Sequence, residues 1–585
     1  MWYVTSIRHH EDKMLLCVET THKVLRMDSV LLVIKGLERS FGANQNAFRE
    51  AVKKELNGTI VMTTYNRKTY HIDDIEFDKS PQSMFERKGE QQTLVDYYRS
   101  LTIKDLKQPL LKAKSKQEGL ACWEKAADPG DILLVPELCQ STGLTDNMRA
   151  NFSLMKELSK YLHQAPQEKG PRLDGFNKRM REHPEVRFTR IQVNHHIKSE
   201  LVNWGMELDG KLVELKGRIL AKEVVSFAKG THQVDDKGDF TMAFRSQQML
   251  TSVNLTTWVI IVPQRDFAGV DNLVRTMTKV AAPLSMAIGN PKQIIKVPDA
   301  RSGSYLSAME DALNLKPQMI FVILPNNKAE LYNVVKKRLA VDKGVPSQCF
   351  LAKNVTSKGL MSIHQGRRSD ECQAGRRALD SEASLKSCMF VGFDVYHGAK
   401  GSKGGSVGAM VATFSANFTK YFSTTSLFKT NDELCETMLA DLIMLCIYAC
   451  FILNSAATIS KRSTASFRSE SSCIVTVGEG QLKAVYNIEL TKLSEGLMKM
   501  YANGGRSPPL LTFIVVSKRV NTRLMMMKMN LQNPPPGTIV DEVVTLPERY
   551  DFLLDFLCCR QGTVSPCSYN VLQDENNFDA DRIQL

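Results

Sequence analysis

The chain has no cysteine pair at Cys-x-x-Cys spacing, and its 13 cysteines are an odd number scattered over 585 residues. That excludes a zinc module built on paired thiolates and argues against a disulfide framework. No secretory signal opens the sequence, so a reducing interior compartment is the expected setting. Long hydrophobic runs are missing too. The most apolar stretch, residues 438–453, carries Asp441 and falls short of the about 20 residues that a membrane crossing needs, so a buried helix and no membrane span are expected. Internal repeats are absent, and the Gly/Lys/Ser segment at 398–406 lacks Walker spacing, which reads as a flexible loop rather than a phosphate cradle.

What is present describes a globular chain of several parts. The length calls for about three to five domains. Apolar residues make up 43% and charged residues 24%, enough to bury cores and too apolar for disorder. Lys plus Arg exceed Asp plus Glu by 13, which concentrates polyanions such as RNA around the protein.

Residues 14–34 and 59–77 alternate short β-rich runs with a turn at Asn66-Arg67, so the first part reads as a small β-rich module. A polar stretch at 118–130 precedes the apolar strand ILLVPELC. Beyond it, Thr145 is placed to cap a helix whose Met148, Phe152, Met155 and Leu158 share one face. From Trp258 the strand-like runs WVIIVP and MIFVILP alternate with helical patterns such as 327–339, and a second α/β region starts at MFVGFDVY and includes LLTFIVV.

Three clusters carry chemistry. Tyr65, Tyr70, Phe85, Tyr97 and Tyr98 are interleaved with Arg67, Lys68 and Arg87; aromatic faces stack unpaired bases or a terminal ribose while cations hold phosphates, although core packing explains such a mixture as well. In ELYNVVKKRL, a helix sets Tyr332 and Lys336 one turn apart, able to stack a base and neutralise a phosphate, or to form a solvated face. In FVGFDVYHG, Asp394 ends an apolar strand, where a carboxylate can ligate Mg²⁺ or cap the strand. The pairs His9-His10 and His195-His196 have no further metal-type residues at ligand spacing and read as surface histidines.

The segments YNRKTYHIDDIEFDKSPQSMF, LVDYY, DLKQPLL and LLVPELCQSTGLTDNMR resemble the PAZ domain and following linker of PIWI-clade Argonautes. ELYNVVKKRL with GVPSQCF resembles the family's MID domain, and FVGFDVYHG, PPLLTFIVVSKRVNTR, NPPPGTIVDEVVT and RQGTVSPCSYNV resemble its PIWI domain. The resemblance implies a multidomain α/β and β protein: a linker remnant at 1–27, a small β-rich PAZ domain at 28–140, a linker region at 141–250, a Rossmann-like MID domain at 251–385 and an incomplete RNase H-like PIWI domain at 386–585. It implies guide 3′-end binding by Tyr70, Phe85, Tyr97 and Tyr98, guide 5′-phosphate binding by Tyr332, Lys336 and Gln348, and guide-backbone contacts by Lys518 and Arg519. Single-stranded small guide RNA of the piRNA type, complementary target RNA and silencing proteins are the implied partners, in cytoplasmic granules and the nucleus.

The resemblance also implies a Mg²⁺-dependent endoribonuclease site, of which Asp394 and Glu433 remain as catalytic positions, with Asp394 as the metal ligand. Two family groups are missing from the sequence: Val475 stands where the family has its second Asp, and the family's histidine is not reached before Leu585. Fewer carboxylates offset less of the charge of two divalent ions, so Mg²⁺ binding is expected to be weak or absent and slicing is not expected. The family's N-terminal domain and C-terminal end are expected to be absent as well. Three readings follow: a non-slicing guide-RNA binder, an active endoribonuclease if the true product restores the Asp and His, or a non-functional fragment.

The genetic code explains the departures. Residues 364–381, HQGRRSDECQAGRRALDS, can be encoded so that a one-base shift reads IKVAVQMNAKLGGAPWT, resembling the missing end of the MID domain. Residues 463–476, STASFRSESSCIVT, can be encoded so that a two-base shift reads YCQLPERIIVHRD, which supplies the family's Arg-Asp. Both segments are therefore read as out of frame, in a frameshifted gene copy or a misassigned reading frame. Sequencing the transcript should return these shifted peptides in an alternative frame; codons that allow neither peptide overturn the frameshift.

Overall fold

The computed structural model describes residues 2–22, 24–41, 44–87, 90–98, 101, 103–114, 131–144, 148–149, 151–182, 201–240, 243, 247–249, 252–355, 388–397, 406–413, 421–428, 470–475, 482–503, 507–556 and 561–584. Residues 438–453, His195-His196, Thr145, Glu433 and most of both out-of-frame segments lie outside this set.

An antiparallel hairpin, Trp2–His9 with Met14–Thr21, leads into a six-stranded antiparallel sheet ordered Leu25–Ser29, Cys139–Thr142, Ile60–Thr63, Thr69–Glu76, Leu110–Lys114, Asp131–Leu134. Helices Val30–Phe41 and Gln45–Leu56 pack Val30, Ile34, Val52 and Leu56 onto Val61, Ile72, Ile75 and Leu111, forming the core of the β-rich module. Asn44 caps the second helix through Ala47 N.

In the linker the next helix covers Phe152–Leu162 and is capped by Asn151, whose side chain accepts from Leu154 N. Phe152 is 81% exposed, so the expected core face through Phe152 does not form. Met155 and Leu158 are half-buried. The short asparagine side chain satisfies one of the helix's free backbone donors directly.

A four-stranded parallel sheet follows, ordered Gln293–Val297, Trp258–Pro263, Met319–Leu324, Ser347–Leu351. Strand alternation sends Trp258, Ile260 and Val262 to one face, against Leu273 and Val274 of helix Val270–Ala281. Val259 and Ile261 face Tyr305 and Met309 of helix Ser302–Asn314 and Val335 of helix Ala329–Lys336. Both faces are covered, which is why these strands read as continuous apolar runs.

The largest sheet has nine strands in the order Arg218–Ile219, Thr538–Val540, Asp551–Asp555, Cys567–Asp574, Leu510–Ser517, Glu470–Val475, Cys388–His397, Ser406–Thr413, Tyr421–Phe428. Three central strands run parallel. One face packs Val391, Phe393, Phe513 and Val515 on Val485, Leu493 and Leu497 of the helical segment 482–503. Arg218 locks the two-residue edge strand, reaching Asp541 (2.5 Å), Asp581 (3.1 Å) and Gln584 (2.6 Å). Among the described residues, no helix is long and apolar enough to cross a membrane.

Candidate nucleic-acid interface

In the β-rich module, strand pairing brings Tyr70 opposite Val61, and the short helix Leu94–Tyr97 delivers Tyr97 and Tyr98. The Tyr65 and Tyr98 hydroxyls are 2.8 Å apart, with ring centroids at 5.0 Å, and Tyr97 meets Tyr98 edge-on at 4.7 Å. Tyr98 is buried, whereas Tyr97 is 40% exposed. Burial pushes the Tyr98 hydroxyl up to about 12, and Tyr65 is raised by burial and by its bond to Tyr98. Both phenols are therefore neutral near pH 7, and one proton of the pair is committed to the bond between them. Phe85 lies in hairpin strand Met84–Arg87, in register with Gln92.

A residue that the sequence pattern does not single out, Glu137 of the LLVPELC segment, supports this cluster. Its carboxylate accepts Lys104 N (2.9 Å), Asp105 N (3.1 Å) and Gln108 Nε2 (3.1 Å), while Gln108 Oε1 accepts Glu137 N (2.9 Å). The clamp fixes turn 103–108, from which Ile103 packs with Leu101 against Tyr98 and Leu110. Nothing in the local pattern signals it, because partners and carboxylate are about thirty positions apart.

In the parallel sheet, Leu331 and Val335 face the core and leave Tyr332 and Lys336 on the outer face of their helix. Lys336 Nζ donates to Ser347 O at 2.6 Å, lies 3.4 Å from Ser347 Oγ, and sits 5.9 Å from the Tyr332 ring centroid. Gln348 follows on the same strand, its Nε2 donating to Cys349 O at 3.1 Å. The register Ile320↔Ser347 and Phe321↔Gln348 puts Ser347 and Gln348 at the amino-terminal ends of the parallel strands. The helix turns into a π-helix at Lys337–Asp342, with Arg338 bonded to Glu310 (2.6 Å) and Asp342 (3.4 Å). The set is an exposed aromatic ring (44%), an ammonium and a hydroxyl, with an amide next along the strand, chemistry suited to a phosphate with a stacked base.

In the nine-stranded sheet Asp394 pairs in register with Ala409 and is exposed. Lys518 reaches it: Nζ to Oδ2 is 3.2 Å, both side chains 58% exposed. Lys518 is thus not simply presented to solvent, and Arg519 next to it is exposed. Strand Glu470–Val475 runs beside Asp394's strand with Val475 opposite Phe393, and Glu433 lies outside the described residues. Among the described residues Asp394 faces an ammonium, whereas a dinuclear divalent centre needs several acidic ligands around two ions. No group of three or more metal-type side chains forms among the described residues.

His10, expected as a plain surface residue, bonds Thr545 O through Nδ1 at 3.2 Å and ties the hairpin turn to the loop after Val540.

Comparison with known proteins places the chain in a family. The Piwi domain family matches residues 319–585 and the PAZ domain family residues 34–165. The chain is 35% identical over its whole length to Protein piwi of Drosophila melanogaster and 34% identical to Piwi-like protein Siwi of Bombyx mori, and it spans 66% and 62% of their lengths, less than two thirds of each. The crystal structure of Drosophila Piwi superposes with a TM-score of 0.73 at 31% identity, over all of this chain and 72% of that one. Kluyveromyces polysporus Argonaute with a guide RNA shares the fold at a TM-score of 0.60 and 16% identity, over all of this chain and 70% of that one.

Replacing Glu137 with alanine should leave Lys104 N and Asp105 N without their acceptor and destabilise the β-rich module by about 1–3 kcal/mol. Amide exchange at these two positions should rise while exchange in strand Trp258–Pro263 stays unchanged. Unaltered exchange at Lys104 and Asp105 contradicts the clamp.

Proposed function

The chain belongs to the PIWI clade of Argonaute proteins, and on that premise we propose that it holds a small guide RNA by its two ends in RNA-mediated silencing and does not cut the target. The observation that carries this reading is the grouping of Tyr332, Lys336 and Ser347, which supplies stacking, charge and a hydrogen-bonding hydroxyl beside one exposed ring, with Gln348 next along the strand. It suits the guide's 5′ phosphate and first base. Tyr70, Phe85, Tyr97 and Tyr98, the last bonded to Tyr65, suit the 3′-terminal nucleotide, and Lys518 and Arg519 suit the backbone between them.

Kluyveromyces polysporus Argonaute, which shares the fold, was crystallised with a guide RNA, and this supports an oligonucleotide partner of that class. The non-slicing half of the proposal rests on Val475, on the Asp394–Lys518 pair and on the lack of any group of three or more metal-type side chains among the described residues. The protein's own residues bind and orient the guide so that its bases pair with a target, and silencing then depends on recruited proteins.

A 5′-phosphorylated single-stranded RNA should bind at least about tenfold more tightly than its 5′-hydroxyl twin, in line with about 1.5–3 kcal/mol for a hydrogen bond to a charged group. Lys336→Ala should abolish most of that preference and leave binding of the 5′-hydroxyl RNA nearly unchanged. Equal affinities of the wild-type protein for both RNAs contradict the assignment.

A further inference from the structure

Glu19 sits in the second strand of the N-terminal hairpin, almost fully buried, and three segments distant in sequence meet at its carboxylate. Lys169 Nζ of helix Pro166–Glu182 lies 2.5 Å from Oε1, and Arg523 Nε lies 2.7 Å from Oε2. Thr20 N donates to Oε1 at 2.7 Å. Side-chain exposures of 8%, 4% and 19% for Lys169, Glu19 and Arg523 put the triad out of water, where an unmatched charge is costly. Cys17, two residues away on the same strand face, lies 4.0 Å from Thr522 Oγ1.

Arg523 also fixes the loop that carries Lys518 and Arg519. Its Nη1 donates to Val520 O (2.6 Å), Thr522 O (2.8 Å) and Ser565 Oγ (3.1 Å). Val520 and Leu524 are buried on either side, so the loop is held at its C-terminal end by one guanidinium whose charge is answered from the hairpin.

We propose that Glu19 is a positioning residue for guide-backbone binding: through Arg523 it sets loop 518–523 so that Lys518 and Arg519 meet the oligonucleotide's phosphates. The inference rests on the guide-binding reading above. Glu19 touches no RNA itself. Its loss leaves Arg523 with an uncompensated buried charge, the guanidinium turns away, and the two carbonyls it braced are released.

The test is the full chain carrying Glu19→Gln, which keeps side-chain size and removes the charge. Amide exchange of residues 518–524 should quicken in this variant. With a 5′-phosphorylated single-stranded RNA, affinity should fall about tenfold and the slope of log K against log salt should flatten by about 1.4, the share of two phosphate contacts at about 0.7 each. Lys518→Ala/Arg519→Ala should give the same flattening, and adding Glu19→Gln to it should change nothing further, which a general loss of stability does not produce. If Glu19→Gln does not fold, Arg523→Lys serves instead: it keeps a cation opposite Glu19 but loses the braces to Val520 O and Thr522 O, and the same flattening is expected. An unchanged loop with a wild-type salt slope, or losses that add, overturns the positioning role. A loosened loop in a protein whose wild type has no affinity for the RNA sinks the guide-binding reading and leaves the mechanical coupling standing.

Discussion

Burial of both faces of strand Leu510–Ser517 is the constraint on which the Piwi-matching region depends. Leu511, Phe513 and Val515 fill the helix-covered face, while Ile514 and Val516 pack beside Cys567 and Tyr569 of the neighbouring strand on the opposite face. With both faces buried, a slip of one residue would exchange the two sets, so the register is fixed. That register carries Lys518, just past the strand's end, to Asp394 two strands away, and it sets Val475 opposite Val515. The local charge balance around Asp394 is thus decided by core packing that itself bears no charge.

The ion pairs of the molecule divide by environment. The Asp394–Lys518 pair is more than half exposed and is worth about 0–1 kcal/mol, so it yields readily when a polyanion approaches. Buried Glu19 differs: removing one member of such a triad costs about 3–5 kcal/mol because the remaining charges stay out of water. Strength therefore lies where the hairpin, the linker helix and the Piwi-matching sheet join, and adaptability lies where Lys518 would meet RNA. Glu137 repeats the strong arrangement in the PAZ-matching region, with one carboxylate organising a turn beside the tyrosines.

Much of this was legible in the sequence wherever local pattern decides the outcome. WVIIVP, MIFVILP and LLTFIVV are the strands they resemble, and helical spacing alone placed Tyr332 and Lys336 together. What escaped depends on residues far apart. No periodicity links Glu19 to Lys169 and Arg523, or Lys518 to Asp394, since these contacts exist only once the sheets are assembled. The helix start expected at Thr145 falls outside the described residues, and the described helix Phe152–Leu162 takes Asn151 as its cap. The family resemblance supplied the roles; the contacts that steady the loops carrying those roles came from the fold.

On the proposed reading the protein grips an oligonucleotide at both ends beside a site with too few acidic groups to cut. The most direct measurement loads the purified protein with a 5′-phosphorylated guide, adds a fully complementary labelled RNA in magnesium buffer, and follows both retention and length of that RNA. The account predicts that the target is retained and stays full-length. Shorter product appearing opposite the middle of the guide, and disappearing in Asp394→Ala, contradicts it.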